Sequence, residues 1–164
     1  KCYCVCWCND DYKGKDFSTV EKRRKYAIQY IKGNNIQGYL AYSNEKVIGW
    51  CNANTKLDCV NCASWRLFMD YVPLEEPNSG IKVKSIFCFV ISPELKRKGI
   101  ATLLLEHVCN DAAKDGFDFL ESYPYKASTY QSSDFAGYLK IYKNSGFHLY
   151  LGTEKGIVMR KKLK

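Results

Sequence analysis

The segment that most constrains the fold spans residues 81–91 and reads IKVKSIFCFVI. After Lys84 nearly every residue is apolar, without the polar alternation of a strand that faces water on one side. A short run of this character is typical of a β-strand buried on both faces. The sequence therefore predicts an interior strand in a sheet that is covered on both sides.

The segments around this strand change repeatedly between strand and helix patterns. Helices are predicted over 18–34, with a capping box of Ser18 and Glu21, over 100–114 before Gly116, and over 132–145 before Gly146. Strands are predicted over 2–8, in a hairpin over 38–53, over 117–123, and as a final pair within 148–163. Residues 55–80 look irregular, with a short helix near 63–69. This order predicts an α/β fold with a mixed sheet, as one domain over residues 1–164.

The net charge of +8 favours an anionic partner, such as nucleic acid, a membrane surface or a phosphorylated small molecule. Cations gather in runs at 22–25, 96–98 and 160–162, of which we interpret the first as a solvated helix face and the last as a solvated tail. No apolar stretch approaches the ~20 residues of a transmembrane helix, so no membrane partner is expected. With no signal-peptide pattern, we expect a cytoplasmic location and reduced thiols.

The middle run of cations precedes Gly99 at the start of a predicted helix. Cations at a helix N-terminus oppose the helix dipole, unless an anion occupies that end. The first turn of a helix also has unpaired N–H groups, and the small residues Gly99 and Ala101 would let a phosphate approach them. The alternative is a surface loop before an amphipathic helix.

Two motifs resemble those of the GNAT superfamily of N-acetyltransferases. The acetyl-CoA signature of that family is (Arg/Gln)-x-x-Gly-x-(Gly/Ala) between a strand and a helix, and residues 96–101 read Lys-Arg-Lys-Gly-Ile-Ala, with Lys at the first position as a mild departure. One strand and one helix later, residues 141–147 read IYKNSGF, similar to the family's Leu-Tyr-Glu-Lys-x-Gly-Phe. The likeness is good over 81–164 and extends to 17–54 in element order alone.

The resemblance implies a mostly antiparallel mixed sheet flanked by helices, whose two central strands splay apart to hold acetyl-CoA. The pantetheine arm would pair with the open edge of the strand at Phe89, Val90 and Ile91, as a peptide-like substitute for a missing strand. The pyrophosphate would lie on the turn that follows. The residues implied there are Lys96, Arg97, Lys98, Gly99, Ile100, Ala101 and Thr102.

Amine acetylation needs a base for the amine and an acid for the leaving thiolate. Tyr142 matches the family position of the acid, with a core aromatic as the alternative. The position that bears a catalytic glutamate in histone-type members is Ser85, which cannot act as a base at neutral pH. Glu121 is our candidate base by location, the alternatives being an exposed strand-end carboxylate, a water relay or an already neutral amine. His107 and His148 are interpreted as structural.

Nine cysteines are the remaining feature, four of them at alternating positions in residues 2–8. As a strand, this segment would place Cys2, Cys4, Cys6 and Cys8 on one face over about 20 Å, too far apart for one zinc ion. Two of them could join Cys59-x-x-Cys62, and redox-sensitive thiols are another alternative. We favour simple packing, including for Cys88, and expect no metal.

The function that these observations favour is acetyl-CoA-dependent transfer of an acetyl group to a primary amine of a small molecule or peptide. Trp7, Trp50, Trp65 and Tyr123 could line an acceptor pocket or pack in the core. The alternative is a catalytically silent sensor or scaffold that binds acyl-CoA, supported by the serine at position 85. Nucleic-acid binding is disfavoured because aromatic residues do not interleave with the basic runs. The acceptor is unknown and a homodimer is left open.

Overall fold

The computed structural model describes residues 2–10, 14–125 and 135–164. Within these ranges one sheet has six strands in the order β1-β2-β3-β4-β6-β5. The strands are β1 (Gly38–Ser43), β2 (Lys46–Thr55), β3 (Val83–Ile91), β4 (Phe119–Ser122), β5 (His148–Gly152) and β6 (Ile157–Lys162). Strands β3 and β4 are parallel, and the other neighbours pair antiparallel. The predicted mixed, mostly antiparallel sheet is confirmed.

Helices flank the sheet. They are α1 (Val20–Lys32), α2 (Lys56–Cys59), α3 (Ala63–Phe68), α4 (Glu76–Ser79), α5 (Ile100–Lys114) and α6 (Leu139–Asn144). The predicted capping box was wrong by one residue: Thr19 caps α1 by accepting the N–H of Lys22 at 3.2 Å. The hydroxyl of Ser18 is instead 2.6 Å from a carboxylate oxygen of Asp16, to which it donates.

Strand β3 is the centre of the molecule. Its residues from Val83 to Phe89 are all buried, which confirms the prediction of a strand covered on both faces. Ile86 packs in the core beneath α5, whereas Phe87 packs in a second core with α3 and the N-terminal segment. On the β2 side, Ala53 pairs with Ile86 and Asn52 with Cys88, so Phe87 forms a β-bulge.

The two central strands separate just after this point. The ladder between β3 and β4 runs from Val83–Phe119 to Ile86–Ser122, where β4 ends. Strand β3 continues to Ile91 and keeps its pairing with β2. The last five residues of β3 therefore have no partner in β4, as the resemblance implied, and we call the region along this unpaired edge the cleft.

The N-terminal segment is not a strand, which corrects our prediction. Val5–Trp7 form one 3₁₀ turn, and both Tyr3 and Cys4 have a left-handed φ of 55°. The consecutive residues Cys4 and Val5 are both 3% exposed, which a strand covered on one face cannot achieve. The alternation of cysteines was therefore misleading, because packing against the sheet, and not strand periodicity, decides this segment.

Elsewhere the predicted elements are largely confirmed. The hairpin of β1 and β2 turns through Asn44 and Glu45 with φ values of 47° and 64°, as a tight hairpin turn requires. Helix α3 lies where a short helix was expected. Helix α6 begins at Leu139, later than predicted, and the predicted caps at 132–134 lie outside the described residues. In the described part of the chain, no helix is long and apolar enough to cross a membrane.

Candidate active site

The turn between β3 and α5 has the geometry of an anion site. Arg97 and Gly99 have left-handed φ values of 64° and 82°, and Gly99 is the N-cap of α5 with no side-chain capping bond. The side chains of the three preceding cations are exposed. Because the first N–H groups of an α-helix lack intrahelical acceptors, those of α5 are available to a ligand beside these cations. A Cβ on Gly99 would meet nothing within 4 Å, so the glycine serves the backbone conformation and not packing against the rest of the chain.

The open edge of β3 is the second part of the site. Val90 pairs with Trp50 and Ile91 with Gly49 on the β2 side, which leaves the other edge facing the cleft. There the N–H of Phe89 donates to the carbonyl oxygen of Phe135 at 2.6 Å. This places the implied pantetheine residues Phe89, Val90 and Ile91 along the cleft, and one of their N–H groups is already bonded to the chain itself.

Tyr142 lies beside this edge of β3, in the same buried core cluster as Phe89. Its side chain is fully buried, and its ring centre is 6.4 Å from that of Phe89 and 5.3 Å from that of Phe147. The hydroxyl donates to the carbonyl oxygen of Ala136 at 2.7 Å. Burial raises the pKa of Tyr142 well above its ordinary value, so the hydroxyl keeps its proton, the form that a general acid requires.

Glu121 is buried, not an exposed strand-end carboxylate. Arg160 donates to Oε1 through Nε at 2.9 Å and also through Nη2. The other oxygen, Oε2, accepts the hydroxyl of Tyr123 at 3.1 Å and lies 3.0 Å from the ammonium of Lys56. Donors therefore occupy both oxygens, and the side chains of Arg160 and Lys56 flank the carboxylate. An amine would therefore find neither oxygen of Glu121 without a donor, and the role of Glu121 as base stays a prediction.

The hydroxyl chain that leads away from Glu121 has a fixed direction. Tyr123 gives its one proton to Glu121, and its oxygen lies 2.6 Å from the hydroxyl oxygen of Ser85. Ser85 must then donate to Tyr123, which leaves the oxygen of Ser85 with acceptor capacity only. Ser85, which pairs with Glu121 across the two strands, thus connects the position of the family's carboxylate to a buried ion cluster.

The ion cluster consists of Lys56, Glu75, Glu76, Glu121 and Arg160. Of these residues, the sequence analysis assigned a role in the site to Glu121 alone. Lys56 is fully buried, with its ammonium 2.8 Å from Glu76 Oε1 and 2.7 Å from the carbonyl of Pro73. Arg160 also pairs with Glu75 at 2.9 Å and stacks 3.6 Å from the ring centre of Tyr150. The interpretation of 160–162 as a solvated tail was therefore wrong for Arg160. The alternating strand pattern of β6 could have indicated that this side chain is not solvated.

The aromatic side chains considered for an acceptor pocket are largely packed together. Phe87 stacks on Trp7 at 4.7 Å and on Tyr123 at 5.6 Å between ring centres. Trp65 meets Tyr123 edge-on at 6.0 Å. Trp50 lies apart from them, its indole N–H donating to the Cys4 sulfur at 3.3 Å. Three of the four predicted residues thus form one aromatic cluster over the β3 bulge.

The cysteines form no metal centre in the ranges that the structure describes, where no three His, Cys, Asp or Glu side chains converge on a metal-sized site. The sulfurs of Cys4 and Cys88 lie 3.7 Å apart in the interior. Burial raises the pKa of Cys59 and of Cys62, which is typical of packed thiols and not of reactive ones.

Comparison with solved structures finds the same fold in acetyltransferases. A GNAT-family acetyltransferase from Streptococcus pneumoniae is 16% identical with a TM-score of 0.55, covering 99% of this chain and 93% of its own. The ribosomal-protein-S18-alanine N-acetyltransferase from Escherichia coli is also 16% identical, with a TM-score of 0.53 and coverage of 92% and 82%. The PaiA N-acetyltransferase from Thermoplasma acidophilum, solved with coenzyme A, is 12% identical with a TM-score of 0.51 and coverage of 98% and 91%.

Sequence comparison identifies the family. A search of curated proteins found no significant match. Residues 5–135 match the model described as "Acetyltransferase (GNAT) family", which covers most of the chain and includes β3 and the turn at Gly99. This chain therefore belongs to the GNAT family of acetyltransferases.

Proposed function

We propose that the protein transfers an acetyl group from acetyl-CoA to a primary amine of a small molecule or peptide. The observation that carries the proposal is the continuity of the cleft. The open edge of β3 leads within a few residues to the left-handed Gly99 and the free N–H groups of α5, in a chain of the GNAT family. An anion site at the end of an unpaired strand edge matches a ligand with a pyrophosphate and a peptide-like arm.

Each part of acetyl-CoA has a candidate partner. The pyrophosphate would lie on the N–H groups of Ile100, Ala101 and Thr102, with attraction from the cations before Gly99. The pantetheine arm would follow Phe89, Val90 and Ile91 through backbone bonds, so the identities of these side chains matter little.

Tyr142 is the proposed general acid. When the amine nitrogen attacks the thioester carbon, the carbon–sulfur bond breaks and the electron pair leaves on sulfur. The Tyr142 hydroxyl would give its proton to that thiolate, and the proton that the attacking nitrogen releases would pass through water back to the Tyr142 oxygen, which restores the hydroxyl. Because donors already occupy both oxygens of Glu121, an amine that binds in its neutral form or a water relay fits the site better than direct abstraction by Glu121.

The first test is a calorimetric titration with acetyl-CoA. We expect micromolar binding, and loss of at least tenfold in affinity in Gly99→Asp, because a carboxylate then opposes the phosphates and the left-handed position disfavours a side chain. Gly80→Asp is the matched control: Gly80 also has a positive φ of 69° with open space around it, but precedes β3 at its other end. Equal affinity of Gly99→Asp and Gly80→Asp would contradict the proposed phosphate site.

The second test concerns Tyr142. On an acceptor found by an amine screen, Tyr142→Phe should lower kcat by roughly 10²–10⁴-fold with little change in acetyl-CoA affinity, as expected for loss of a general acid. An unchanged kcat would show that Tyr142 is not the general acid and would support its alternative role as a core aromatic.

A silent acyl-CoA-binding protein is the second candidate. Ser85 at the family's carboxylate position and the fully occupied oxygens of Glu121 favour it. Tight acetyl-CoA binding without acetylation of any amine, and without hydrolysis, would support this candidate over the enzyme. The cytoplasmic location stays a prediction.

A further inference from the structure

Residues 135–137, which we call the strap, cross the cleft where the acyl donor is proposed to bind. The carbonyl of Phe135 accepts the N–H of Phe89 at 2.6 Å. The next carbonyl, that of Ala136, accepts the hydroxyl of Tyr142 at 2.7 Å. Two consecutive carbonyls thus occupy one donor from each wall of the cleft.

These two donors are the groups that the proposed function assigns to the acetyl donor. An N–H on the open edge of β3 would bind a carbonyl of the pantetheine or thioester, and the Tyr142 hydroxyl would face the sulfur. A backbone carbonyl is chemically close to an amide or thioester carbonyl, so the strap supplies in the free protein the acceptors that the ligand would supply. Each donor has one proton and cannot serve both acceptors at full strength.

We infer that the strap is an autoinhibitory contact that acetyl-CoA must displace from Phe89 and Tyr142 before transfer can occur. This inference rests on the proposed function. Ligand binding then includes the energy of opening the strap, and the free protein keeps its acid hydroxyl bonded until the donor arrives.

Displacement of the strap should require little free energy. The side chain of Phe135 is already 47% exposed, so at most about half of its own apolar surface is newly uncovered when the strap leaves. The strap also contains Gly137 with a φ of 82°, at which a Cβ would lie 3.0 Å from the Tyr142 hydroxyl oxygen. Glycine at this position therefore allows the strap to lie against Tyr142 in the closed state.

Substitution of this glycine tests the inference by equilibrium binding. In Gly137→Ala, both the left-handed backbone and the contact with Tyr142 disfavour the closed strap, so CoA should bind about 5- to 30-fold more tightly than to the wild type. Gly80→Ala, with the same backbone penalty at an open position before β3, should leave the affinity unchanged. Unchanged or weaker CoA binding by Gly137→Ala would overturn the inference.

A second measurement uses the wild-type protein and does not depend on how the variant folds. With phenylalanine labelled at ¹⁵N and at the ¹³C carbonyl, the bond between Phe89 and Phe135 gives a scalar coupling across the hydrogen bond. No phenylalanine directly follows another in the sequence, so no one-bond coupling obscures it, and Phe135→Leu identifies the signal by removing it.

The outcomes of this measurement separate the two proposals. Loss of the coupling on addition of CoA supports the strap as a displaced contact. Binding of CoA with the coupling preserved overturns the strap and leaves the proposed function intact. Failure of the wild type to bind CoA at all contradicts the proposed function and the strap together.

Discussion

The buried ammonium of Lys56 gives the sharpest prediction about stability. Its side chain is 0% exposed and lies between Glu76 Oε1 at 2.8 Å and Glu121 Oε2 at 3.0 Å. Replacing Lys56 by Met keeps much of the side-chain volume but leaves buried carboxylates without this cation. Removing one partner of a buried ion pair costs about 3–5 kcal/mol. At this chain length that corresponds to a fall in Tm of roughly 6–20 °C.

Urea unfolding followed by circular dichroism measures the loss directly. Asp111→Asn is the control, because it removes an exposed pair with Lys114 at 3.6 Å and should change stability by less than about 0.5 kcal/mol. The double variant Lys56→Met/Glu76→Gln removes both charges and should recover roughly 0.5–3 kcal/mol relative to Lys56→Met.

Two results would refute this reasoning. A loss below about 1 kcal/mol in Lys56→Met would mean that water or rearrangement compensates the carboxylates. A double variant that is no more stable than the single variant would mean that the interaction with Glu76 is not the source of the effect.

Two further predictions concern titration. Hydrogen bonds from Tyr150 and Arg160 lower the pKa of Glu75 below its ordinary value of 4.5, so the stability from this group is present above that pH and lost as the pH falls through the folded-state value. In Glu75→Gln, the urea midpoint should therefore decrease less steeply than in the wild type as the pH falls below about 5. An unchanged pH dependence would contradict this role of Glu75. Burial raises the pKa of Cys62 to about 11, and that of Cys51 above its usual range. Iodoacetamide at pH 8 should leave both thiols unmodified in the native protein and label both in urea, as read by peptide mass spectrometry; labelling of native Cys51 would contradict its packing.

Local sequence patterns predicted the central part of the fold well. Three features could be predicted from neighbouring residues: the strand β3, the turn at Gly99 and the helix after it. A strand buried on both faces has a continuous apolar run, and the start of a helix has a characteristic local pattern of residues. The same holds for the hairpin of β1 and β2. These elements, with the motif at 141–147, were sufficient to predict the family and the end of the pairing between β3 and β4.

Patterns failed where distant residues decide the conformation. The alternating cysteines of residues 2–8 predicted a strand, yet packing of Val5 against Ala27 of α1 and of Trp7 on Phe87 of β3 produces a 3₁₀ turn. Lys56 lies in a segment with no periodicity, so nothing local indicates that it neutralises Glu76 and Glu121 from two other elements. Glu121 itself could be placed on a strand, but not between two cations.

The sequence by itself therefore determined the interior strand, the turn at Gly99 and the helix that follows it, because each depends on interactions within about ten residues. The tertiary structure alone decided the ion cluster, the direction of the hydroxyl chain from Ser85 to Glu121, and the strap bonds to Phe89 and Tyr142. Those contacts join residues on different elements, and their geometry follows from how β3 and β4 separate and what fills the cleft between them.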